Sequence, residues 1–329
     1  MINLYPWLND IYKQLIINYK KNMMHYALLL HSISGNGCEL LCNSIINWLF
    51  CKNKINEKSC NKCHNCNLIL LKNHPDFYTL ESESKNTKIN IDLTRKIIEK
   101  FNNYQHQDNF KILYIPYIEK LNDECINILL KMLENPKKNI FYILKCEKKN
   151  KLFKNIRNRC FYFFLKTPNQ KNTFYWLKTK LTNINKINAI TAIKLSNNAP
   201  FAALNLLQSN NWLKRKELCC KLKNIIQQGD LLDLLNILNT NNPIKMINWL
   251  LTLLLDAIKL HNRINKFCIN YDQKQLLLLL VNKINKSQLI ILYKQWQICN
   301  YQLLTIPGLN QELIIINQLI KWKKLNYKI

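Results

Sequence analysis

The chain has 329 residues, is 48% hydrophobic and carries a formal net charge of +28. That length allows two or three domains, each with a core of its own, and the apolar fraction excludes a disordered chain. The longest apolar runs, Trp249–Leu255 and Leu276–Val281, are too short to span a bilayer, and Met1–Leu8 has none of the features of a secretory leader.

The charge points toward nucleic acid, but its make-up weakens that reading. Only five of the 48 basic residues are arginine: Arg95, Arg157, Arg159, Arg215 and Arg263. Lys, Asn and Ile crowd the whole chain and Gly occurs four times, the composition expected of AT-rich codons. The charge is therefore compatible with phosphate contacts and does not establish them. Two of the five arginines fall in Arg157-Asn158-Arg159, which singles out that tripeptide.

In chain order, the first half alternates strand and helix. Tyr26–His31 reads as a short apolar strand, and Glu39–Phe50 reads as a helix. Between them lies Ser32-Ile33-Ser34-Gly35-Asn36-Gly37-Cys38-Glu39. The order strand, glycine turn, helix is that of a phosphate loop, but a working loop ends in Lys and then Ser or Thr. Cys38 stands in place of the Lys that reaches the phosphates, and Glu39 in place of the hydroxyl that holds Mg²⁺. The turn is either a degenerate phosphate loop, with Gly35, Gly37, Cys38 and Glu39 at its key positions, or simply a turn.

Four cysteines follow within sixteen residues, Cys51, Cys60, Cys63 and Cys66. Four thiolates at this spacing can close a tetrahedral shell around a structural Zn²⁺. The stretch is polar and basic, so a metal would supply the order that burial cannot. Disulfides would require an oxidising compartment, and the other nine of the 13 cysteines are scattered, as reduced thiols in a cytoplasm would be. His64 lies inside the cluster and could replace one thiolate, but the favoured expectation is that it faces solvent.

The alternation continues with strand Asp76–Leu80, helix Ile91–Tyr104, strand Lys111–Ile115, helix Asp123–Glu134, strand Ile140–Leu144, short helix Leu152–Ile156 and strand Cys160–Leu165. This order predicts a parallel α/β sheet covered on both faces. The strand Lys111–Ile115 ends in Pro116-Tyr117, where an ATPase strand would end in Asp-Glu. Glu119, two residues on, is a poor substitute.

Thr167-Pro168 marks a boundary, after which strand signals fade. Trp176–Leu207 predicts two or three short helices with a break at Asn197–Pro200. Helical patterns then cover Trp212–Gln227, Leu231–Leu238, Ile244–Leu260, Gln273–Lys286, Ser287–Thr305 and Asn310–Lys324, with Pro243 and Pro307-Gly308 among the breaks.

Several segments together carry a family resemblance. They are Tyr5-Pro6-Trp7-Leu8, His25-Tyr26-Ala27-Leu28-Leu29, the four-cysteine module, His74-Pro75-Asp76-Phe77-Tyr78, and Asn127-Ile128-Leu129-Leu130-Lys131-Met132-Leu133-Glu134-Asn135-Pro136. Asn158-Arg159-Cys160 and Leu195-Ser196-Asn197-Asn198-Ala199-Pro200 complete the set. The chain resembles the clamp-loader AAA+ proteins of bacterial DNA polymerase III, and among them the subunit type that does not bind ATP productively. The match is specific over residues 1 to about 207. Beyond that it rests on helical character and on Pro307–Leu313.

The resemblance implies a RecA-like AAA+ domain over 1–166 with the zinc module at 51–66. It implies a helical lid over 167–207 and a helical collar over 208–329 for oligomerisation. It implies partners as well: a hetero-pentamer with delta and tau/gamma subunits, which loads the sliding clamp on primed DNA in the cytoplasm as part of the DNA-directed DNA polymerase holoenzyme, a nucleotidyltransferase. Arg159 matches the arginine that reaches the ATP of the adjacent tau/gamma subunit. A guanidinium supplied in trans neutralises charge on the γ-phosphate, and its planar fork suits two phosphate oxygens. Arg157 would only shape the loop. Asn158 stands for the family's Ser and Asn135 for its second Glu, while Ala199-Pro200-Phe201-Ala202 lacks the arginine an active subunit uses to sense nucleotide. No ATPase activity is expected of the isolated chain. Two other readings stay open: a divergent ATPase using Glu39 and Glu119, and a stand-alone zinc-containing nucleic-acid-binding protein.

Overall fold

The structure is a computed structural model, and it describes residues 5–21, 25–82, 88–102, 110–136, 139–148, 153–182, 184–208, 210–240, 242–306 and 308–326. The chain divides into two compact units, one of Met1–Pro168 with Ala199–Phe201 and one of Asn169–Asn198 with Ala202–Ile329.

The first unit runs α1 (Pro6–Lys20), β1 (Ala27–Ser32), α2 (Cys38–Phe50), α3 (His64–Leu70), β2 (Phe77–Thr79), α4 (Ile91–Asn102), β3 (Lys111–Ile115), α5 (Asp123–Glu134), β4 (Ile140–Cys146), α6 (Phe153–Arg157) and β5 (Phe161–Leu165). The five strands form one parallel sheet in the order β2-β3-β4-β1-β5, the RecA-like arrangement, with β1 registered against both β4 and β5. A strand buried on both faces reads as a continuous apolar run, and all six residues of β1 are buried. Its side chains alternate between two cores. Leu28 and Leu30 join residues of α1 and α2, whereas Ala27 and Leu29 join residues of α4, α5 and α6. Helix α5 opens on Asn122, whose side chain accepts from the Cys125 amide at 2.8 Å.

The second unit is helical: α7 (Gln170–Lys180), α8 (Lys186–Leu195), α9 (Pro200–Gln208, whose first residues belong to the first unit), α10 (Asn211–Gln228), α11 (Leu235–Leu238), α12 (Pro243–His261), α13 (Lys274–Lys283), α14 (Lys286–Thr305) and α15 (Gln311–Asn326). Its main core gathers residues of α10 to α15 around Trp296 and Trp322. Among the described residues no single helix is long and apolar enough to cross a membrane.

The elements differ from the sequence reading in a few places. Helices α1 and α3 were not anticipated: α1 starts on Pro6 at its first turn and buries Leu8, Tyr12, Leu15 and Ile16, while α3 is only seven residues long. Helix α7 begins six residues before Trp176, burying Thr173 and Leu177. The expected helix over Leu231–Leu238 opens as a 3₁₀ turn, Leu231–Leu234. The expected Gln273–Lys286 helix stops at Lys283 because Asn285 caps α14 in a reciprocal box with Gln288. Tyr104, Leu152 and Pro307 lie outside the described residues.

Candidate functional site

The glycine turn connects β1 to α2. Gly35 (φ +78°) and Gly37 (φ +90°) adopt left-handed backbone, and Gly37 caps α2. Asn36 is buried, and its Nδ2 donates to the carbonyls of Leu165 and Lys166, both at 3.3 Å, tying the turn to the end of β5. Aromatic residues cover the turn. Trp7 Nε1 donates to the Asn36 carbonyl at 3.0 Å, and the Phe201 amide donates to the Gly35 carbonyl at 3.0 Å. Tyr5 stacks on Trp7 at 5.1 Å and meets Phe201 edge-on at 4.8 Å. A Cβ on Gly37 would lie 2.9 Å from Phe201 Cε2.

The chemistry at the start of α2 is equally unlike a phosphate site. Cys38 is buried, and a hydrogen bond with Cys42 together with burial pushes its thiol pKa well up, so a neutral group stands where a working loop has its lysine. Glu39 is exposed in the first turn.

The ends of β3 and β4 carry their own ion pair. Lys145, buried on β4, pairs with Glu147 at 3.1 Å and lies 4.2 Å from the Tyr117 ring centre. Burial opposes the Lys145 charge, but the Glu147 carboxylate outweighs it and the pKa rises. Glu119 accepts from the Glu147 amide at 3.4 Å, and burial raises its pKa. This carboxylate is engaged inside the fold.

The Arg157–Arg159 segment leaves α6 through a tight turn. The amides of Asn158, Arg159 and Cys160 donate to the carbonyls of Lys154, Ile156 and Arg157 at 3.1, 3.1 and 3.4 Å. Arg157 is exposed and lays its guanidinium 4.4 Å from the Tyr162 ring centre, and Tyr162 Oη lies 2.9 Å from His31 Nδ1. Arg159 is partly exposed. Its Nη1 donates to the Asn155 carbonyl at 3.0 Å and its Nη2 pairs with Glu134 Oε1. Beside it, burial pushes the Cys160 thiol up to about 12.

The four clustered cysteines converge. Their sulfurs all lie within 4.8 Å of one another, with Cys51–Cys60 at 3.5 Å and Cys60–Cys66 at 4.0 Å. Tetrahedral ligation at about 2.3 Å places sulfurs about 3.8 Å apart, and a disulfide bond would need about 2.05 Å. The cluster is spaced as a ligand set. The Cys60 amide donates to Cys51 Sγ at 3.2 Å and the Cys63 amide to Cys60 Sγ at 3.3 Å. Burial raises the Cys51 and Cys66 thiols. Amide hydrogen bonds from Lys62 and Cys63 lower Cys60. Burial opposes ionisation of Cys63, but hydrogen bonds outweigh it and bring the pKa to about 6. His64 is exposed and stands outside the cluster.

The sequence reading named the glycine turn, the cysteines and Arg159. It missed their supports: Trp7 and Phe201 over the turn, Asn36 anchoring it, and Glu134 and Asn155 on Arg159. Trp7 and Glu134 lie inside segments that carried the resemblance, and Phe201 directly follows one, which was the one signal available.

The family described as "DNA polymerase III, delta subunit" matches residues 7–169, and "DNA polymerase III, delta subunit, C terminal" matches 209–324. The DNA polymerase III subunit delta' of Yersinia pestis is 37% identical, over 98% of this chain and 96% of its own. That of Buchnera aphidicola subsp. Schizaphis graminum is 33% identical, over 98% and 97%. That of Escherichia coli K12 is 31% identical, over 96% and 94%. With identity at this level over nearly the full length of both chains, the chain belongs to the delta-prime subunit family of the DNA polymerase III clamp loader.

Proposed function

We propose that this chain is an ATP-silent ring subunit that lends Arg159 to the ATP site of an adjacent tau/gamma subunit. The observation that carries the reading is the pairing of a covered, lysine-free glycine turn with an arginine that is partly exposed and anchored at both Nη atoms. The first feature leaves no cation for the chain's own phosphate contact. The second offers a guanidinium whose remaining N–H groups can bond phosphate oxygens.

In this reading residues 1–166 form the AAA+ domain, 167–207 the lid and 208–329 the collar that joins the subunits. The partners are delta and tau/gamma in a hetero-pentamer in the cytoplasm, and the assembly places the sliding clamp on primed DNA within the polymerase holoenzyme. Cys51, Cys60, Cys63 and Cys66 hold a structural Zn²⁺. Four thiolates fill its shell, so no position remains for a reacting water.

The chain's own residues perform two tasks. The anchored Arg159 meets charge that develops on a γ-phosphate held by another subunit, a contribution of roughly 10³–10⁵ in rate for such fingers. The aromatic cover and Asn36 keep the glycine turn rigid without nucleotide. The test is ATP turnover with primed DNA by the assembled loader. Arg159→Ala is expected to abolish the contribution of the adjacent site, while Arg157→Ala, whose guanidinium is engaged on the Tyr162 ring, leaves most of it. Unchanged turnover with Arg159→Ala would refute the assignment. Micromolar ATP binding by the purified chain would favour the divergent-ATPase reading.

A further inference from the structure

We propose that Glu134 is the positioning residue of Arg159, fixing the guanidinium in place before a neighbouring nucleotide arrives. The inference rests on the finger reading above and adds a second residue to it.

Two separate elements converge on one guanidinium. Nη1 is held by the Asn155 carbonyl of α6, and Nη2 by the Glu134 carboxylate at the end of α5, 25 residues away in sequence. The α5 end is itself tied down, because Tyr26 Oη donates to the Leu133 carbonyl at 2.8 Å. The turn that carries Arg159 is held by its three backbone bonds. A solvent-facing arginine otherwise samples many rotamers, and ordering it at the moment of reaction costs side-chain entropy. Anchoring two N–H groups in advance removes much of that cost and leaves the other N–H groups for phosphate.

The exposure of the pair distinguishes this role from a structural one. The Arg159 and Glu134 side chains are 34% and 46% exposed. An ion pair so open to water contributes little to folding. Its removal should leave melting unchanged and still be felt in turnover. A carboxylate that merely competed with phosphate for Arg159 would produce the opposite sign.

The test uses the assembled loader with Glu134→Ala, Glu134→Gln, Arg159→Ala and the Glu134→Ala/Arg159→Ala double variant, with assembly and melting temperature checked for each. Glu134→Ala is expected to lower kcat at the adjacent site roughly fivefold, with KM for ATP little changed. Glu134→Gln, whose amide oxygen can accept the same bond, should restore most of the rate. In the Arg159→Ala background the Glu134→Ala change should add nothing. Wild-type or faster turnover with Glu134→Ala overturns the proposal, as does an equal loss in the Arg159→Ala background. If Arg159→Ala lowers turnover and Glu134→Ala does not, only the positioning role fails. If Arg159→Ala has no effect, the finger reading fails and this role with it.

Discussion

At the scale of single residues, Gly37 links the sequence to the aromatic cover over the glycine turn. Its φ of +90° disfavours any side chain, and a Cβ there would press on Phe201 Cε2 at 2.9 Å and on Leu8 Cδ1 at 3.1 Å. In a working phosphate loop a glycine lets backbone approach an anion. Here the same freedom lets the backbone pack beneath an aromatic ring. Gly37→Ala should therefore lower the stability of the first unit by about 1–3 kcal/mol, from backbone strain and displacement of the ring. Denaturant unfolding of the variant is the check. A neutral result would mean that the aromatic cover is loose. Arginine scarcity was informative at this scale too, since it isolated Arg157 and Arg159. Their different partners, the Tyr162 ring for Arg157 and the Asn155 carbonyl with Glu134 for Arg159, were not legible, because sequence spacing does not reveal which groups two neighbouring side chains meet across the fold.

At the scale of elements, the cysteine module and α3 depend on each other. Helix α3 has seven residues, and Cys66 lies inside it while Cys63 caps its start. Helices this short are marginal without tertiary support. With the proposed Zn²⁺ in the module, a chelator at neutral pH should raise amide exchange over residues 51–70 while β1, β3 and β4 stay protected. Cys63→Ser should reduce bound zinc to below the wild-type level. Zinc content equal to wild type in that variant would exclude Cys63 as a ligand. The second unit has a comparable local determinant in Arg215, which is fully buried. Its Nη1 donates to Asp272 Oδ2 at 2.6 Å, and its Nη2 to Asp272 Oδ1 at 3.0 Å and Asn270 Oδ1 at 2.8 Å. Burial alone would raise the Asp272 pKa, but the Arg215 partner outweighs it and holds the carboxyl below its ordinary value. The depressed folded pKa means that the pair stabilises the fold above the unfolded value of about 3.9, and that this stability is lost as pH falls through the lower folded value. Urea midpoints should therefore fall on acidification below about pH 4. Asp272→Asn should remove that acid dependence and lower stability at neutral pH, because Arg215 remains buried without its counter-ion.

At the scale of the whole molecule, the parallel sheet was legible in the alternating first half because fully buried strands such as Ala27–Ser32 and Lys111–Ile115 are written as short, mainly apolar runs. The helical second half was legible from its Leu and Ile periodicity, and its boundaries shifted only where caps such as Asn285 decided them. Helix α1 was legible in principle, since Leu8, Tyr12, Leu15 and Ile16 stand at helical spacing with Asn9, Lys13 and Gln14 on the exposed face. The site was legible only in outline. Residues that change the chemistry directly, Cys38 and Glu39 in the turn, could be read against a working loop. Residues that act by contact across the fold, Trp7, Asn36, Glu134 and Phe201, could not, since their partners lie far along the chain, Gly35 being 166 residues from Phe201. The most direct test of the central claim is a structure of the assembled loader with a bound ATP analogue. The account predicts Arg159 Nη atoms within about 3 Å of γ-phosphate oxygens held by the adjacent tau/gamma subunit, with no nucleotide at Gly35–Gly37. An Arg159 guanidinium far from every triphosphate, or a nucleotide bound on this chain's own glycine turn, would contradict it.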